Sequence, residues 1–498
     1  MSVRIYPVTR SDEVCDDYIV KINGTEIETD TARVSAYPFN RRWPGRQRQK
    51  EQSALVNFAA FAIDGKTEIE VIPKRSFDKV KIRPVSLGIE PERTQEGVKL
   101  TIAEPAYFTV EPYGRRGALH IFADPMPEYA KDTNEVIYFG QGKHEAGVIT
   151  LKSNQTVFID EGAVVYGSIY AVDADNIKIL GRGILDNSHN KEKILFEASA
   201  DGNMNDVGNS ERLPTIFLEY CTNIKIDGII IRDSLVYNIA PLACRRLQIK
   251  NVKIIGCWRY NSDGIDMLNC EDAEISDCFI RTYDDSIAVK GFDSYRSEKG
   301  MLHNGQIYDF TKNITVDNCT IWNDWGRCLE IGAETRAKEM SNIVFKNCNL
   351  IHVTDSVLDC LNVDYADVHN VLYENINVEY DDIIPCPVFQ KSDNETYANA
   401  DTEYSPYLIC MDIMFHQEYS RDDIQRGKNH GFTFRNIYLI GRHAPKMYFG
   451  GYDLGHKSGD IFISDLYWNG KKLDDREKIS IKANEFCENV YFNEKPIK

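Results

Sequence analysis

Two short stretches carry side chains suited to acid–base chemistry. Asn261-Ser262-Asp263-Gly264-Ile265-Asp266 precedes, by about one repeat, Tyr283-Asp284-Asp285-Ser286-Ile287-Ala288-Val289. Asp263, Asp284 and Asp285 each fall just before a short apolar run. If those runs are neighbouring strands, the three carboxylates share one surface and repel. At least one then takes up a proton near neutral pH while another stays ionised. Hydrolysis of a glycosidic bond requires such a pair, an acid for the leaving oxygen and a base for the attacking water. We assign Asp284 as the acid, with Asp263 and Asp285 together holding and deprotonating the water. A calcium site, or carboxylates solvated on an acidic face, are the competing readings.

The elements that must position these acids follow from a repeat. A nine-residue template, Asn-Ile-x-Ile-x-Asn-Cys-x-Ile with substitutions, recurs from about residue 136. It is clearest at Asn313–Ile321 and Asn342–Leu350, and it continues at 176–184, 223–231, 246–254, 272–280, 370–378, 431–439 and 460–468. Each copy supplies an alternating apolar strand, a turn of Asn, Asp or Gly, and a second strand. One coil cannot bury its own inner face, but stacked coils can, and like residues then lie above one another. The pattern predicts a parallel β-helix over residues 136–498. Asn251, Asn318, Asn347, Asn375 and Asn436 form the predicted turn ladder, with Asp277, Asp465 and Gly228 substituting. Cys278, Cys319 and Cys348 stack inside it as small core hydrophobes. In this register Asp263, Asp285, Arg327 and Asp355 form one outer column, about 4.8 Å apart per coil. Two longer stretches, about 291–311 and 380–429, are insertions expected to wall in that surface.

Residues 1–125 read differently. Short strands, at Asp17–Gly24, Leu55–Ile63, Glu68–Pro73, Val80–Ile82, Val98–Ile102 and Ala118–Phe122, are separated by turn signals and predict an N-terminal β-sandwich. A loop carrying Arg41, Arg42, Trp43, Arg46 and Arg48 interrupts them. Its guanidinium and indole groups suit sugar or carboxylate contacts, and equally a solvated basic loop or salt bridges to the second domain. The loop also makes a homo-oligomer conceivable, by reaching into a neighbouring copy's cleft.

The 498 residues carry a net charge of -18, which disfavours nucleic acid as a partner, and no apolar run is long enough to predict a membrane span. The 13 cysteines include no CxxC pair, and the N-terminus shows no apolar signal region. Free thiols, a cytoplasmic location and no metal or other cofactor are therefore expected.

These motifs resemble those of the polygalacturonase/dextranase-like clan, glycoside hydrolase families 28 and 49. Asn261-Ser262-Asp263-Gly264 is similar to the Asn-Thr-Asp-Gly of family 28, and Asp284-Asp285 matches the paired aspartates of both families. Gly162–Ser168 and Gly181–Asp186 look like the opening coils of such enzymes. The resemblance covers about residues 136–380. It implies a right-handed helix, an N-terminal β-sandwich as in family 49, and inverting hydrolysis with the first aspartate of the pair as acid and the other two as bases.

The departures bear on substrate. Family 28 polygalacturonases have Gly-His-Gly where this chain has Gly326-Arg327-Cys328. They have Arg-Ile-Lys, which holds a uronate carboxylate, where this chain reads Asp355–Leu361. An acid-rich cleft is a poor host for galacturonate, and Trp322 and Trp325 before Glu330 look closer to family 49, whose substrates are neutral α-glucans. A small neutral α-glucan cut from one end is the expected substrate. The alternatives are a galacturonide or pectin, a polysaccharide lyase on the same architecture, and a non-catalytic carbohydrate-binding β-helix. Asn261, Arg327, Glu330, Lys290 and Asp355 are candidate substrate contacts, Trp258 and Tyr283 candidate stacking platforms, and His303 and His352 candidate replacements for the missing histidine.

Overall fold

A computed structural model describes residues 2–36, 50, 53–129, 134–189, 213–292, 302–382, 384, 404–417, 420–422, 424–474 and 478–497. Among these residues the protein is β-structure apart from one short 3-10 turn at Val85–Leu87. From Glu135 onward, strands pair in parallel with the strand one coil later, building a right-handed parallel β-helix with three faces.

The first face carries the template strands, among them Thr222–Asp227, Arg245–Lys250, Glu271–Ser276, Phe310–Asp317 and Glu339–Lys346. The second holds shorter strands, such as Lys253–Ile254, Phe279–Thr282, Thr320–Asn323 and Asn349–Ile351. The third holds Ile239–Leu242, Ile265–Leu268, Ile287–Gly291, Leu329–Thr335, Ser356–Asn362 and Tyr407–Ile413. The three candidate carboxylates sit in the turn between the second and third faces.

The template positions explain why the chain turns where it does. Asn251, Asp277, Asn318, Asn347, Asn375, Asn436 and Asp465 all have φ between 51° and 56°, the left-handed region that Asn and Asp tolerate best. Their amides also bond along the ladder, Asn375 Nδ2 to Asn347 Oδ1 at 3.0 Å and Asn436 Nδ2 to Asn375 Oδ1 at 3.0 Å. The first template position behaves in the same way. Asn176, Asn223, Asp272, Asn313, Asn342 and Asn370 have φ of 52–58°, and Asn342 donates to Asn313 at 3.1 Å. Inside the coil, Ile314, Val316, Cys319 and Ile321 are fully buried, and the three ladder cysteines are reduced core residues.

The N-terminal region forms two packed sheets. One contains Val3–Ile5, Asp30–Ser35, Ser53–Ile63, Leu119–Pro125, Ala106–Glu111 and Lys81–Arg83; the other contains Thr25–Ile27, Tyr18–Ile22, Thr67–Pro73, Val98–Ile102 and Glu92–Arg93. Phe61, Ile69, Val71, Phe108 and Ile121 lie between them, each fully buried. Asp30–Ser35 and Ala106–Glu111 are further strands of the six-stranded sheet, beyond the examples read from the sequence. The Arg41, Arg42 and Trp43 loop lies outside the described residues.

The six-stranded sheet packs on the second face of the helix, Phe58, Tyr107 and Phe122 against Ile184, Ile255 and Phe279. Buried ion pairs flank this apolar contact. Lys253 Nζ lies 2.8 Å from Asp124 Oδ1, both side chains wholly buried. Further up, Arg83 pairs with Glu379, and Arg115 reaches Asp324 at 2.8 Å and Asp381 at 3.0 Å. His352 lies between Glu111 and Asp381, 2.8 Å from each. It is therefore an interdomain residue rather than a cleft histidine. At the C-terminal end, Lys495–Pro496 folds back antiparallel onto Cys487–Phe492.

Burial disfavours the His352 imidazolium, but Asp381 and Glu111 outweigh it and raise the His352 pKa. That stabilisation is full below the unfolded-state pKa of histidine and is lost as pH rises through the higher folded-state value. His352→Ala removes one cation from Asp381 and Glu111, which keep Arg115 and Arg83, and is expected to cost about 1.5–3 kcal/mol near pH 6. The cost shrinks at pH 9, and an equal loss at both pH values in chemical denaturation would refute the assignment.

Candidate active site

The ladder register fixes the acidic column. Ile265 pairs with Ile287 and Ile287 with Leu329, so Asp263, Asp285 and Arg327 stand on successive coils as the sequence predicts. The next step differs. Leu329 pairs with Leu358, which puts Ser356 above Arg327 and moves Asp355 one position earlier. The turn of this coil is one residue longer than the alignment allowed. Asp355 still faces the cleft, where Tyr404 Oη donates to its Oδ1 at 3.2 Å.

The cleft has a volume of about 760 Å³ and is lined by Asp263, Asp284, Asp285, Lys290, Arg327 and Asp355, with Tyr260, Trp325, Tyr404 and Tyr407 among the aromatic groups. Asp284 Oδ2 accepts the backbone N–H of Asn261 at 3.1 Å, so Asn261 serves through its main chain. Its left-handed φ of 56° bends the chain at this point. Burial, then the charge of Asp285, pushes the Asp284 carboxyl up to about 7. Asp285 has the opposite fate. Burial pushes it upward, but the hydrogen bond from Glu330 and the charges of Arg327 and Lys290 prevail and hold it below the usual carboxylate range. Its Oδ1 accepts the backbone N–H of Arg327 at 2.9 Å. The two adjacent aspartates therefore differ in proton affinity, Asp284 binding a proton the more readily.

Asp263 is 2% exposed, and its Oδ2 lies 3.0 Å from Lys290 Nζ. The same ammonium lies 3.0 Å from Asp266 Oδ1 and 3.7 Å from Glu334. Burial raises both aspartates, Asp266 to about 6, while Lys290 opposes the rise. Lys290 is thus a buried counter-ion to Asp263. Asp266 was missed in the sequence. The available signal was its place three residues after Asp263, on the outward side of the same strand.

Arg327 is the more open cation, its side chain 28% exposed, and it faces Asp285 at 3.9 Å, Glu330 at 3.6 Å and Asp359 at 3.5 Å. Glu330 and Asp359 are paired neighbours on adjoining coils. Both are buried, and burial raises both, Asp359 to about 7. Among the described residues, no group of three or more His, Cys, Asp and Glu is arranged to hold a metal ion.

Two aromatic expectations are corrected. Trp258 is 5% exposed, bonds Asp233 through Nε1 at 2.8 Å and lines a separate cavity beside the sandwich. Tyr283 is fully buried and stacks on Trp325 with ring centroids 5.2 Å apart. The faces open to the cleft belong to Tyr260 and Trp325, because the turn swings Tyr283 beneath them. His303 lies on the far side, against Tyr220 and Asp173. Within the stretch expected as the second insertion, Tyr407–Ile413 is a regular third-face strand, and it lines the cleft together with the flanking Tyr404, Met414, His416 and Gln417. The described part of the first packs by Tyr220 and does not line it.

A family model described as glycosyl hydrolases family 28 matches residues 132–410. A Vitis vinifera protein named "Probable polygalacturonase" is 25% identical over 234 residues, 42% of this chain and 46% of that protein. A "Polygalacturonase" of Gossypium barbadense is 25% identical over 227 residues, 43% of this chain and 53% of that protein. The matched part spans about half the length of these curated relatives. Among solved structures, Dex49A from Penicillium minioluteum superposes with a TM-score of 0.56 at 13% identity, covering 98% of this chain and 95% of that one. A Yersinia enterocolitica family 28 exopolygalacturonase gives 0.50 at 13% identity, covering 99% and 97%. Both likenesses concern the fold.

Lys290→Met leaves Asp263 and Asp266 buried with no cation between them. It is expected to lower stability by about 2–4 kcal/mol at pH 7, and by less at pH 4.5, where the Asp266 carboxyl is protonated. Urea denaturation at the two pH values measures the difference, and a loss independent of pH would show that the ammonium acts by packing alone.

Proposed function

The chain belongs to glycosyl hydrolases family 28, and on that premise we propose that it is a polygalacturonase-type glycoside hydrolase, cleaving an O-glycosidic bond of a galacturonide with inversion. The observation that carries this reading is the gathering of Asp263, Asp284 and Asp285 in one cleft by the ladder register, where burial and the neighbouring charges set the proton affinities of Asp284 and Asp285 apart. Asp284 donates its proton to the leaving oxygen. Asp285 and Asp263 hold a water molecule on the opposite side of the sugar, and Asp285, held ionised, takes its proton as the water attacks the anomeric carbon. One proton leaves Asp284 and one arrives at the base, so solvent exchange restores the starting state. Tyr260 and Trp325 offer ring faces on which a sugar stacks.

The preference for a neutral α-glucan loses its support. The family match and the names of the curated relatives favour galacturonides, and the likeness to Dex49A concerns fold. The electrostatic argument for a neutral substrate counted every carboxyl as charged. Burial raises Glu330, Asp359, Asp266 and Asp284 toward or above neutrality, so the cleft carries far less negative charge than its composition suggests. Arg327 then has charge to share with a uronate carboxylate.

Reducing-end release from polygalacturonate and short galacturonides, with dextran and α-gluco-oligosaccharides alongside, tests the substrate. Asp284→Asn is expected to lower kcat by about 10²–10⁴-fold. Proton NMR of the first product should show the anomer opposite to the bond cleaved. Retention of configuration would refute the mechanism, and an ultraviolet-absorbing unsaturated product would indicate a lyase. In the wild type, kcat/KM should fall as pH rises above about 7, because the acid must be protonated. An alkaline limb unchanged by removing the Asp285 charge would reject Asp284 as its origin.

A further inference from the structure

Building on the hydrolytic reading above, we propose that Glu330 is a positioning residue, carrying a permanent proton that it donates to Asp285 so that Asp285 stays ionised.

The geometry behind this is a shortage of donors. Glu330 is fully buried, and neither of its carboxyl oxygens accepts a hydrogen bond from a donor among the described residues. Its nearest cation, Arg327 Nη1, stands at 3.6 Å, outside hydrogen-bond range, and the same guanidinium faces Asp285 and Asp359. Asp355 also draws on this guanidinium, helped by Lys446, so at most one positive charge serves Asp285, Glu330 and Asp359, and electroneutrality there calls for two protons. Asp285 is the member best suited to remain an anion. It has the Arg327 N–H at 2.9 Å and opens on the cleft. Glu330 has no such donor, so it takes a proton, and Asp285, which shares the Arg327 guanidinium with it, is the acceptor toward which that proton is directed. Asp359, on the coil above, takes the second proton, and burial favours that state.

Every charged neighbour acts in the same direction or is offset. Asp284, Asp263 and Asp266 lie on the coils at and below Asp285, and Lys290 opposes them. Asp355 and Asp359 lie above, opposed by Arg327. Behind Glu330 are Cys360 and Tyr373, both with pKa values raised by burial and so neutral. Without the Glu330 proton, Asp285 would face this crowd of carboxyls with one donor fewer. Its pKa would rise and the base would be partly neutralised at working pH.

Infrared difference spectra of wild type and Glu330→Gln at pH 7, recorded without substrate, test the proton directly. The expected result is loss of one protonated-carboxyl C=O stretch. Loss of carboxylate bands instead shows an ionised Glu330 and overturns the proposal. The pH profile of kcat/KM then tests the consequence. Glu330→Gln keeps a donor and should hold the acid limb within about half a unit, whereas Glu330→Leu should move it up by about one unit or more. An acid limb unmoved in the leucine variant overturns the proposal. If that variant does not fold, the infrared comparison decides alone. Failure of every glycan to turn over would sink the hydrolytic reading while leaving the infrared result intact.

Discussion

Each coil of this protein satisfies its backbone through the coils on either side, and that constraint governs everything built on it. A peptide N–H in one coil donates to a carbonyl of the next, whose strand runs about 4.8 Å away, so residues at equivalent positions must stand above one another. The rule places Asp263, Asp285 and Arg327 in one column although up to 64 residues separate them in sequence. It also limits where the chain can bend. Bends fall at positions that accept a left-handed backbone, and those are the Asn and Asp positions of the template.

Chemistry enters where stacking forces like charges together. A column that repeats a carboxylate on successive coils is unstable unless cations or protons intervene. Here both do. Lys290 serves the lower pair, Asp263 and Asp266, and Arg327 serves the upper group, Asp285, Glu330 and Asp359. Each cation is outnumbered, so protons must make up the difference, and burial decides which carboxyls hold them. The N-terminal sandwich contributes from behind. Its Arg115 binds Asp324, directly before Trp325, and His352 precedes Asp355 by three residues, so the turns that shape the cleft are anchored in the interdomain contact.

Much of this was legible from sequence, for identifiable reasons. The template repeats its apolar and Asn positions at fixed spacing, so the helix, its turn ladder and the order of Asp263, Asp285 and Arg327 could be read directly. What failed depended on one-residue differences or on burial. The turn before Ser356 is one residue longer than its neighbours, which displaced Asp355 from the column. Trp258 and Tyr283 flank the acids in sequence, but the path of the turn carries one toward the sandwich and the other beneath Trp325. The expectation of a neutral substrate failed differently. Sequence counts carboxyl groups and gives no account of which are charged once they are enclosed.

The last strand has a bearing on the molecule's size. A parallel β-helix ends in a row of open N–H and C=O groups, an edge onto which another chain can add indefinitely. After Cys487–Phe492 the chain reverses, and Lys495–Pro496 lies antiparallel against that strand. The reversal occupies part of that edge with a residue that has no N–H and with a lysine charge beside it. A hairpin placed on a coil in this way covers hydrogen-bonding groups that a second chain would otherwise pair with, and so works against edge-to-edge association at that coil.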